Sequence, residues 1–230
     1  MYWDSTYILV IIGAIISAIA SWNVNRSFRK YAKLENSRGL TAEACAEMIL
    51  HRADIYDVRI EHISGNLTDH YSPTEKVLRL SSAVYGKSSV AAIGVAAHEC
   101  GHAIQHKEGY FPLKLRSISV PVANIGSKLS WPIIIIGILL NLMGLARIGV
   151  FLFTFVVLFQ LITLPVEFNA SHRALKILNE SDDMLAGEEL NGATKVLSAA
   201  ALTYVAALFS TILQLLRLIL LTRGNSRRSN

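Results

Sequence analysis

A chain of 230 residues with 52% hydrophobic and only 17% charged residues is too apolar for an ordinary soluble domain. Its mean hydropathy of +0.41 predicts an α-helical membrane protein. The net charge of +5 arises from basic clusters beside apolar segments, a pattern of membrane orientation, so we expect no nucleic-acid partner.

The first apolar segment, Tyr7 to Trp22, is predicted to be a retained membrane anchor within residues 1–22. Its Ala18-Ile19-Ala20 resembles a signal-peptidase site, but residues 1–4 carry no basic side chain. The basic residues follow the segment instead, and they are Arg26, Arg29, Lys30, Lys33 and Arg38. A basic cluster after the first span predicts that the next domain faces the cytoplasm.

A polar stretch, residues 23–119, is long enough for a small α+β domain. Thr41 to Asp54 has the apolar spacing of an amphipathic helix, with Thr41 suited to its N-cap. Three segments of β character follow it, at Asp57 to Ile63, Asn66 to His70 and Lys76 to Leu80. The last could bind an extended peptide as an edge strand or be a plain sheet edge. A second helix then begins at Ser88 or Ser89.

The motif His98-Glu99-Cys100-Gly101-His102 lies in this second helix. Residues four apart share one helix face, so both histidines can reach one Zn²⁺ ion, and the carboxylate of Glu99 can act as a general base. A chance match on an exposed helix is the alternative. The apolar run before the motif predicts a buried helix instead, whose polar groups need a partner such as a metal. Cys45 and Cys100 are predicted to be buried apolar residues.

Three further apolar segments complete a prediction of about four transmembrane helices. Val120 to Met143 and Arg147 to Leu164 form a tight hairpin around Gly144, within residues 120–165. Val196 to Leu221 forms the last span, within residues 196–222, and a basic tail occupies residues 223–230. Four spans would leave this tail outside the cell, against the positive-inside rule. Either the last segment does not cross the membrane fully, or the early basic cluster determines the orientation despite the tail. We favour the second explanation.

A catalytic zinc needs a third protein ligand besides the histidines. We favour Glu167, within residues 166–195, because two membrane crossings return the chain to the side of the motif. The other interpretation is a helix N-terminal glutamate that complements the helix dipole after Pro165, and both roles can hold at once. Glu108 has the spacing of another third-ligand pattern but lacks its turn glycine, which Gln105 replaces. His106 lies roughly 12 Å beyond His98 along the helix, too far for one ion.

Other polar residues have two interpretations each. His70 and Tyr71 could stabilise a developing oxyanion, and Asp69 could orient a ligand histidine, or all three could form a turn. His172 and Arg173 could approach the substrate, or pair with interfacial acids or lipid phosphates. The acidic stretch from 179 to 189 could be a lid, although we favour a solvated loop.

The motif, the hairpin and Glu167-Phe168-Asn169-Ala170 together resemble the membrane-embedded gluzincin proteases of the HtpX type. More specifically, GNLTDHYSP at 65–73, AAHECGHAIQ at 96–105, EFNAS at 167–171 and AALTY at 200–204 are similar to the bacterial YugP-type family of neutral zinc metallopeptidases. This resemblance covers nearly the whole chain.

The resemblance implies a zinc-dependent membrane peptidase in which residues 23–119 form a zincin-like domain that carries the HExxH helix. It also implies His98, His102 and Glu167 as metal ligands and Glu99 as general base. One departure from the HtpX pattern is Ser171, which stands where that pattern has an acid. If that acid orients a ligand histidine, the contact must be built differently here.

The sequence thus predicts an endopeptidase that cuts membrane or membrane-adjacent proteins with one catalytic Zn²⁺, and its partners are a protein substrate and the lipid bilayer. Two other functions are a non-catalytic, zinc-stabilised membrane scaffold and a metal transporter or sensor. A structural zinc would need a fourth protein ligand, and a transporter would carry ionisable residues deep within its spans.

Overall fold

The computed structural model describes residues 5–181 and 184–224. Expectations for residues 1–4, for Asp182 and Asp183 in the acidic stretch, and for residues 225–230 in the basic tail lie outside this part of the chain. The chain is mostly helical, as predicted. Its elements in order are α1 (Tyr7–Tyr31), α2 (Ala42–Arg52), β1 (Arg59–Ile63), β2 (His70–Ser72), β3 (Val77–Ser81), α3 (Val90–Lys107), α4 (Phe111–Leu139), α5 (Met143–Glu180) and α6 (Glu188–Gly224).

Helices α1, α4, α5 and α6 are long and apolar enough to cross a membrane, which confirms the prediction of four candidate spans among the described residues. The connection between α4 and α5 lies at residues 140–142, before the predicted turn at Gly144. Helix α5 continues through Pro165 to Glu180. Glu167 therefore lies inside α5, and the prediction that it complements a helix N-terminus is wrong.

The chain divides into two compact units. Among the described residues, the first comprises 5–21, 114–165 and 203–224. In this unit, α4 and α5 pack closely. A Cβ added to Gly137 would lie only 2.5 Å from the amide nitrogen of Ala146, so the helices can approach this closely only with glycine at position 137. The Arg217 guanidinium lies 4.1 Å from the centre of the Tyr7 ring, and Ser210 contacts Gly13. These two pairs show that α6 packs antiparallel to α1. Small residues allow such close approach of apolar helices.

The second unit comprises residues 22–113 and 166–202 and contains a sheet of three strands in the order β1-β3-β2. Strand β3 pairs in parallel with β1 and antiparallel with β2. The prediction of an edge strand at Lys76 to Leu80 is therefore wrong. Val77, Leu78 and Leu80 of β3 are fully buried, as expected for a strand with neighbours on both sides.

Helices α2 and α3 form the core of this unit. Each begins as predicted, with the hydroxyl of Thr41 accepting a hydrogen bond from the Ala44 amide and the hydroxyl of Ser89 accepting one from the Ala92 amide. Alanines and branched apolar residues then pack against each other. Cys45 and Cys100 are both buried, as the sequence predicts, and neither forms a disulfide among the described residues.

The described part of the acidic stretch packs against this core. Met184 is fully buried, and its sulfur lies 3.9 Å from that of Cys45. A carboxylate oxygen of Glu189 accepts a hydrogen bond from the Ser37 amide at 2.8 Å. These contacts contradict the interpretation of this described part as a solvated loop or lid, because a buried methionine anchors it.

Candidate metal centre

The two histidines of the motif lie on one face of α3, and Glu167 of α5 faces them. Nε2 of His98 lies 3.3 Å from Oε2 of Glu167, and Nε2 of His102 lies 3.6 Å from the same oxygen. The Glu167 side chain is only 3% exposed. The ligand atoms of all three residues lie within 4.8 Å of one another. The structure thus brings the three predicted ligands together.

The distances fit a zinc ion. Ligand atoms at about 2.0 to 2.2 Å from zinc in a tetrahedral arrangement lie about 3.3 to 3.6 Å from one another. The two separations measured from Oε2 of Glu167 match this range. Two imidazole nitrogens and one carboxylate oxygen are also a ligand set that leaves a fourth zinc position for water. The donor chemistry and the geometry therefore both suit a catalytic zinc site.

Electrostatic contacts raise the pKa of His102. Burial lowers this pKa, but the hydrogen bond to Glu167 and the negative charge of Glu99 outweigh the effect of burial. A zinc ion that binds here competes with a proton for His102, so metal binding releases protons.

Ser171 contacts the other nitrogen of His98. Its hydroxyl oxygen lies 3.0 Å from Nδ1 of His98. A hydrogen bond to Nδ1 fixes the orientation of a ligand imidazole and directs Nε2 towards the metal. Ser171 is also the residue that departs from the HtpX pattern. In this chain, a serine hydroxyl therefore makes the contact to His98 for which that pattern could use an acid.

Gln105 contacts His102 in the same way, and the sequence analysis missed this role. Its side-chain oxygen lies 3.1 Å from Nδ1 of His102, and Gln105 is fully buried. A signal was present in the sequence. Gln105 lies three residues after His102 on a helix predicted to be buried, so its amide needed a nearby polar partner.

Gly101 permits α5 to approach α3 at the metal centre. A Cβ at this position would lie only 2.5 Å from the carbonyl oxygen of Ala170. Ala170 neighbours Ser171 and lies one turn after Glu167 on α5. Glycine in the middle of the motif is therefore what allows the third-ligand helix to lie against the two histidines.

Glu99 is buried, with 8% of its surface exposed, and its carboxylate is held by the sheet. Its Oε2 accepts a hydrogen bond from the backbone amide of Tyr71 at 3.0 Å. Because an amide donor supplied by a strand is rigidly placed, β2 fixes the orientation of this carboxylate.

Tyr71 and His70 make other contacts besides this one. The hydroxyl of Tyr71 lies 2.8 Å from Nδ1 of His106. Nδ1 of His70 donates a hydrogen bond to the carbonyl oxygen of Thr68 at 2.9 Å. A neutral imidazole with its proton on Nδ1 has no proton on Nε2, so His70 could donate to an oxyanion only as an imidazolium.

Asp69 has a structural role. Its carboxylate accepts hydrogen bonds from the Ser81 amide at 2.7 Å and from the Ser81 hydroxyl at 3.0 Å. The interpretation that it orients a ligand histidine is therefore wrong, because both oxygens join β2 to the end of β3.

Glu108 and Arg173 pair with each other. Nη2 of Arg173 lies 2.7 Å from a carboxylate oxygen of Glu108, and this contact lowers the pKa of Glu108. The Glu108 side chain is 52% exposed. Glu108 is thus outside the described group of metal ligands, whereas the interpretation of Arg173 as a partner of an acid is confirmed. His172 is exposed on α5.

A cleft of about 550 Å³ lies beside the end of α3 and the strand β2. Tyr71 connects it to the metal centre, because its backbone amide holds Glu99 while its side chain lines the cleft. The other lining residues are Asp54, Ile55, Tyr56, Asp57, Val58, Lys76, Ala103, His106 and Lys107.

Comparison with known proteins identifies the family of this chain. The chain is 46% identical over 216 residues to the "Putative membrane protease YugP" of Bacillus subtilis (strain 168), an alignment that covers 94% of this chain and 96% of that protein. No solved structure matches the chain. The family described as "Putative neutral zinc metallopeptidase" matches residues 6–223. The resemblance found in the sequence motifs is confirmed, and the chain belongs to this zinc metallopeptidase family.

Proposed function

We propose that this chain is a membrane-embedded, zinc-dependent endopeptidase of the gluzincin type. The observation that carries the proposal is the convergence of His98, His102 and Glu167 at zinc-ligand distances, next to the buried carboxylate of Glu99. Three protein ligands leave one position open for chemistry, whereas a structural zinc scaffold would close the site with a fourth.

His98, His102 and Glu167 would hold the metal. A bound zinc ion supplies Lewis-acid chemistry, which makes water a stronger acid and polarises the carbonyl group of the bond to be cut. Ser171 and Gln105 keep the two imidazoles oriented through Nδ1, so both Nε2 atoms face Glu167.

Glu99 acts as the general base and then as the general acid. The Tyr71 amide occupies Oε2, so Oε1 is the oxygen that takes a proton from the attacking water. The resulting hydroxide bonds to the carbonyl carbon. When the bond between carbon and nitrogen breaks, Glu99 returns the proton from Oε1 to the leaving amine.

We assign Tyr71 and His70 roles in assisting catalysis rather than in binding the metal. Tyr71 positions Glu99 through its backbone amide, and its hydroxyl pairs with His106 at the edge of the cleft. His70 assists the developing oxyanion only in its protonated form, given its contact to Thr68. The cleft beside Tyr71 is the concave surface on which we expect the substrate chain.

The substrates are membrane or membrane-adjacent proteins. This is supported by the four apolar helices and by the description of the Bacillus subtilis relative as a membrane protease. A chain anchored in the bilayer meets such substrates at high local concentration, which favours their cleavage over that of soluble proteins.

The metal centre faces the cytoplasm in our proposal. The basic residues after the first span, including Arg26, Arg29 and Lys30 of α1, support this orientation. A reporter that is active only in the cytoplasm should be active when fused after Arg38 and inactive when fused after Asn230. Activity at Asn230 would contradict the version with four complete crossings.

Three variants of the purified protein test the function, with zinc content and cleavage of an unfolded substrate measured on each. Glu99→Gln should keep its zinc and lose about 100-fold or more of the cleavage rate, since general acid–base catalysis typically contributes that much. Glu167→Ala should lose zinc. Glu180→Ala, an exposed glutamate on the same helix as Glu167, is the matched control and should retain both zinc and cleavage.

Each outcome separates one assignment from another. Cleavage that survives in Glu99→Gln would remove Glu99 as the base. Stoichiometric zinc in Glu167→Ala would remove Glu167 as a ligand. Zinc binding without cleavage by the wild-type protein on any unfolded or membrane substrate would favour the scaffold over the peptidase.

A further inference from the structure

A hydrogen-bonded chain of side chains runs from the ring of His102 to an ion pair with a partly exposed acid. Its members in order are His102, Gln105, Asn169, Arg173 and Glu108. We propose that Gln105 is a positioning residue that selects the metal-binding tautomer of His102. In this proposal, Arg173 determines which group of each side chain in the series donates its hydrogen bond and which accepts. This inference rests on the proposed metal centre.

Arg173 determines how Asn169 is oriented. A guanidinium group can only donate hydrogen bonds, so the atom of Asn169 that lies 2.7 Å from Nε of Arg173 must be the amide oxygen. The carboxylate of Glu108 binds Arg173 at 2.7 Å on its other side. The ion pair therefore fixes Asn169 with its oxygen towards Arg173.

Asn169 in turn determines the orientation of Gln105. The same Asn169 oxygen lies 2.9 Å from the Gln105 side chain, so Gln105 must present its NH2 group there. This NH2 group donates a second hydrogen bond, also at 2.9 Å, to the carbonyl oxygen of Val166. Both donors are used on oxygens that cannot donate in return, and a flipped amide would lose both bonds.

The orientation of Gln105 then decides the tautomer of His102. With its NH2 group committed, Gln105 presents its oxygen to Nδ1 of His102 at 3.1 Å. An amide oxygen only accepts, so Nδ1 must carry the proton. In the neutral ring, Nε2 is then unprotonated and directs its lone pair towards Glu167 and the metal position.

The burial of Gln105 makes this selection effective. Gln105 is fully buried, so water does not compete for its amide. Its bond to Val166, which directly precedes Glu167, also joins the helix of the two histidines to the helix of the third ligand. One amide thus orients one ligand and positions the backbone next to another.

The test measures zinc affinity and, separately, the tautomer of His102 in the full-length, metal-free protein at a pH high enough for the imidazole ring to be neutral. Histidine labelled with nitrogen-15 reports by NMR which ring nitrogen is protonated, and His102 is assigned by the signal lost in His102→Ala. Wild type should show His102 protonated at Nδ1. Gln105→Met keeps the side-chain volume but removes all three hydrogen bonds, and it should show a mixture of tautomers.

Zinc affinity, measured by competition with a chelator, should fall by about 10-fold to 100-fold in Gln105→Met, as expected when a partner of a ligand histidine is lost. Gln160→Met is the matched control, because Gln160 is a glutamine on α5 in the first compact unit, and it should leave both readouts unchanged. An Nδ1-protonated His102 and wild-type zinc affinity in Gln105→Met would overturn the proposal.

Arg173→Met provides a second variant at the outer end of the chain, in case Gln105→Met does not fold. Although it changes no metal ligand, this variant should lower zinc affinity and give a mixture of His102 tautomers. Arg173→Lys retains a hydrogen-bond donor and should recover part of the zinc affinity and part of the Nδ1-protonated tautomer. An unchanged tautomer in Arg173→Met overturns the role of Arg173. If wild type shows the predicted tautomer but binds no zinc, the metal centre fails while the tautomer selection stands.

Discussion

The hydroxyl of Ser171 lies 3.0 Å from Nδ1 of His98. Ser171 is on α5, one turn after Glu167, so one helix provides both the proposed third ligand and the hydroxyl that contacts a proposed histidine ligand of α3. A serine hydroxyl accepts a hydrogen bond from the Nδ1–H group as a carboxylate would, but it adds no negative charge to the site. Position 171 therefore adds no carboxylate to the one that Glu167 supplies.

Ser171→Ala should weaken zinc binding by about 10-fold to 100-fold, because His98 loses the partner that orients it. Ser171→Asp should retain or increase zinc affinity, since an aspartate oxygen also accepts from Nδ1. Competition with a chelator measures both. Ser198→Ala, at an exposed position of α6, serves as the control and should bind zinc like wild type. Equal affinity in Ser171→Ala and wild type would show that His98 is oriented by other contacts.

Gly101→Ala should lower the free energy of unfolding by about 1 to 3 kcal/mol, the usual cost of overpacking. The new methyl group would lie 2.5 Å from the carbonyl oxygen of Ala170, so α5 must move away from α3. Zinc content should fall as well, because Glu167 moves with α5. Thermal unfolding in detergent and metal analysis provide the measurements.

Gly94→Ala on the same helix is the control for this prediction. Its Cβ would lie 3.5 Å from the side chain of Ala193, an ordinary van der Waals distance. Alanine is favoured over glycine within a helix, so stability should be unchanged or rise by up to about 1 kcal/mol. If both variants behave alike, the close approach at Gly101 does not limit the packing of α5.

Tyr71 should remain protonated well above the ordinary range of tyrosine. Burial and the charge of Asp57 raise the pKa of Tyr71 from 10.0 to about 12. A raised pKa means that the unfolded chain loses its proton first, so the contribution of Tyr71 to stability is complete below pH 10 and is lost as the pH rises to about 12.

The difference in phenolate absorbance between wild type and Tyr71→Phe isolates this one group among the eight tyrosines. The difference should rise near pH 12, and the loss of stability between pH 10 and 12 should be smaller in Tyr71→Phe. A step near pH 10 in the difference curve would show that Tyr71 is open to water and that its contact with His106 is not maintained.

Local patterns in the sequence predicted much of the fold. Helical spacing placed His98 and His102 on one face, and Thr41 and Ser89 are N-caps as expected. These predictions succeeded because they depend on residues within one or two turns of each other. The predicted edge strand at Lys76 to Leu80 was wrong, because strand order depends on pairing between distant segments.

The sequence by itself determined four apolar helices, a buried helix with the two histidines, and Glu99 beside them, since periodicity and hydropathy are local properties. Only the tertiary structure decided that Ser171 contacts His98 and that Val166 holds the amide of Gln105, because these two contacts join α3 to α5. Gln105 and Val166 are 61 residues apart, and no local pattern encodes a hydrogen bond over such a separation. The physical reason is that side-chain hydrogen bonds require positions fixed to within a few tenths of an ångström, which packing alone provides.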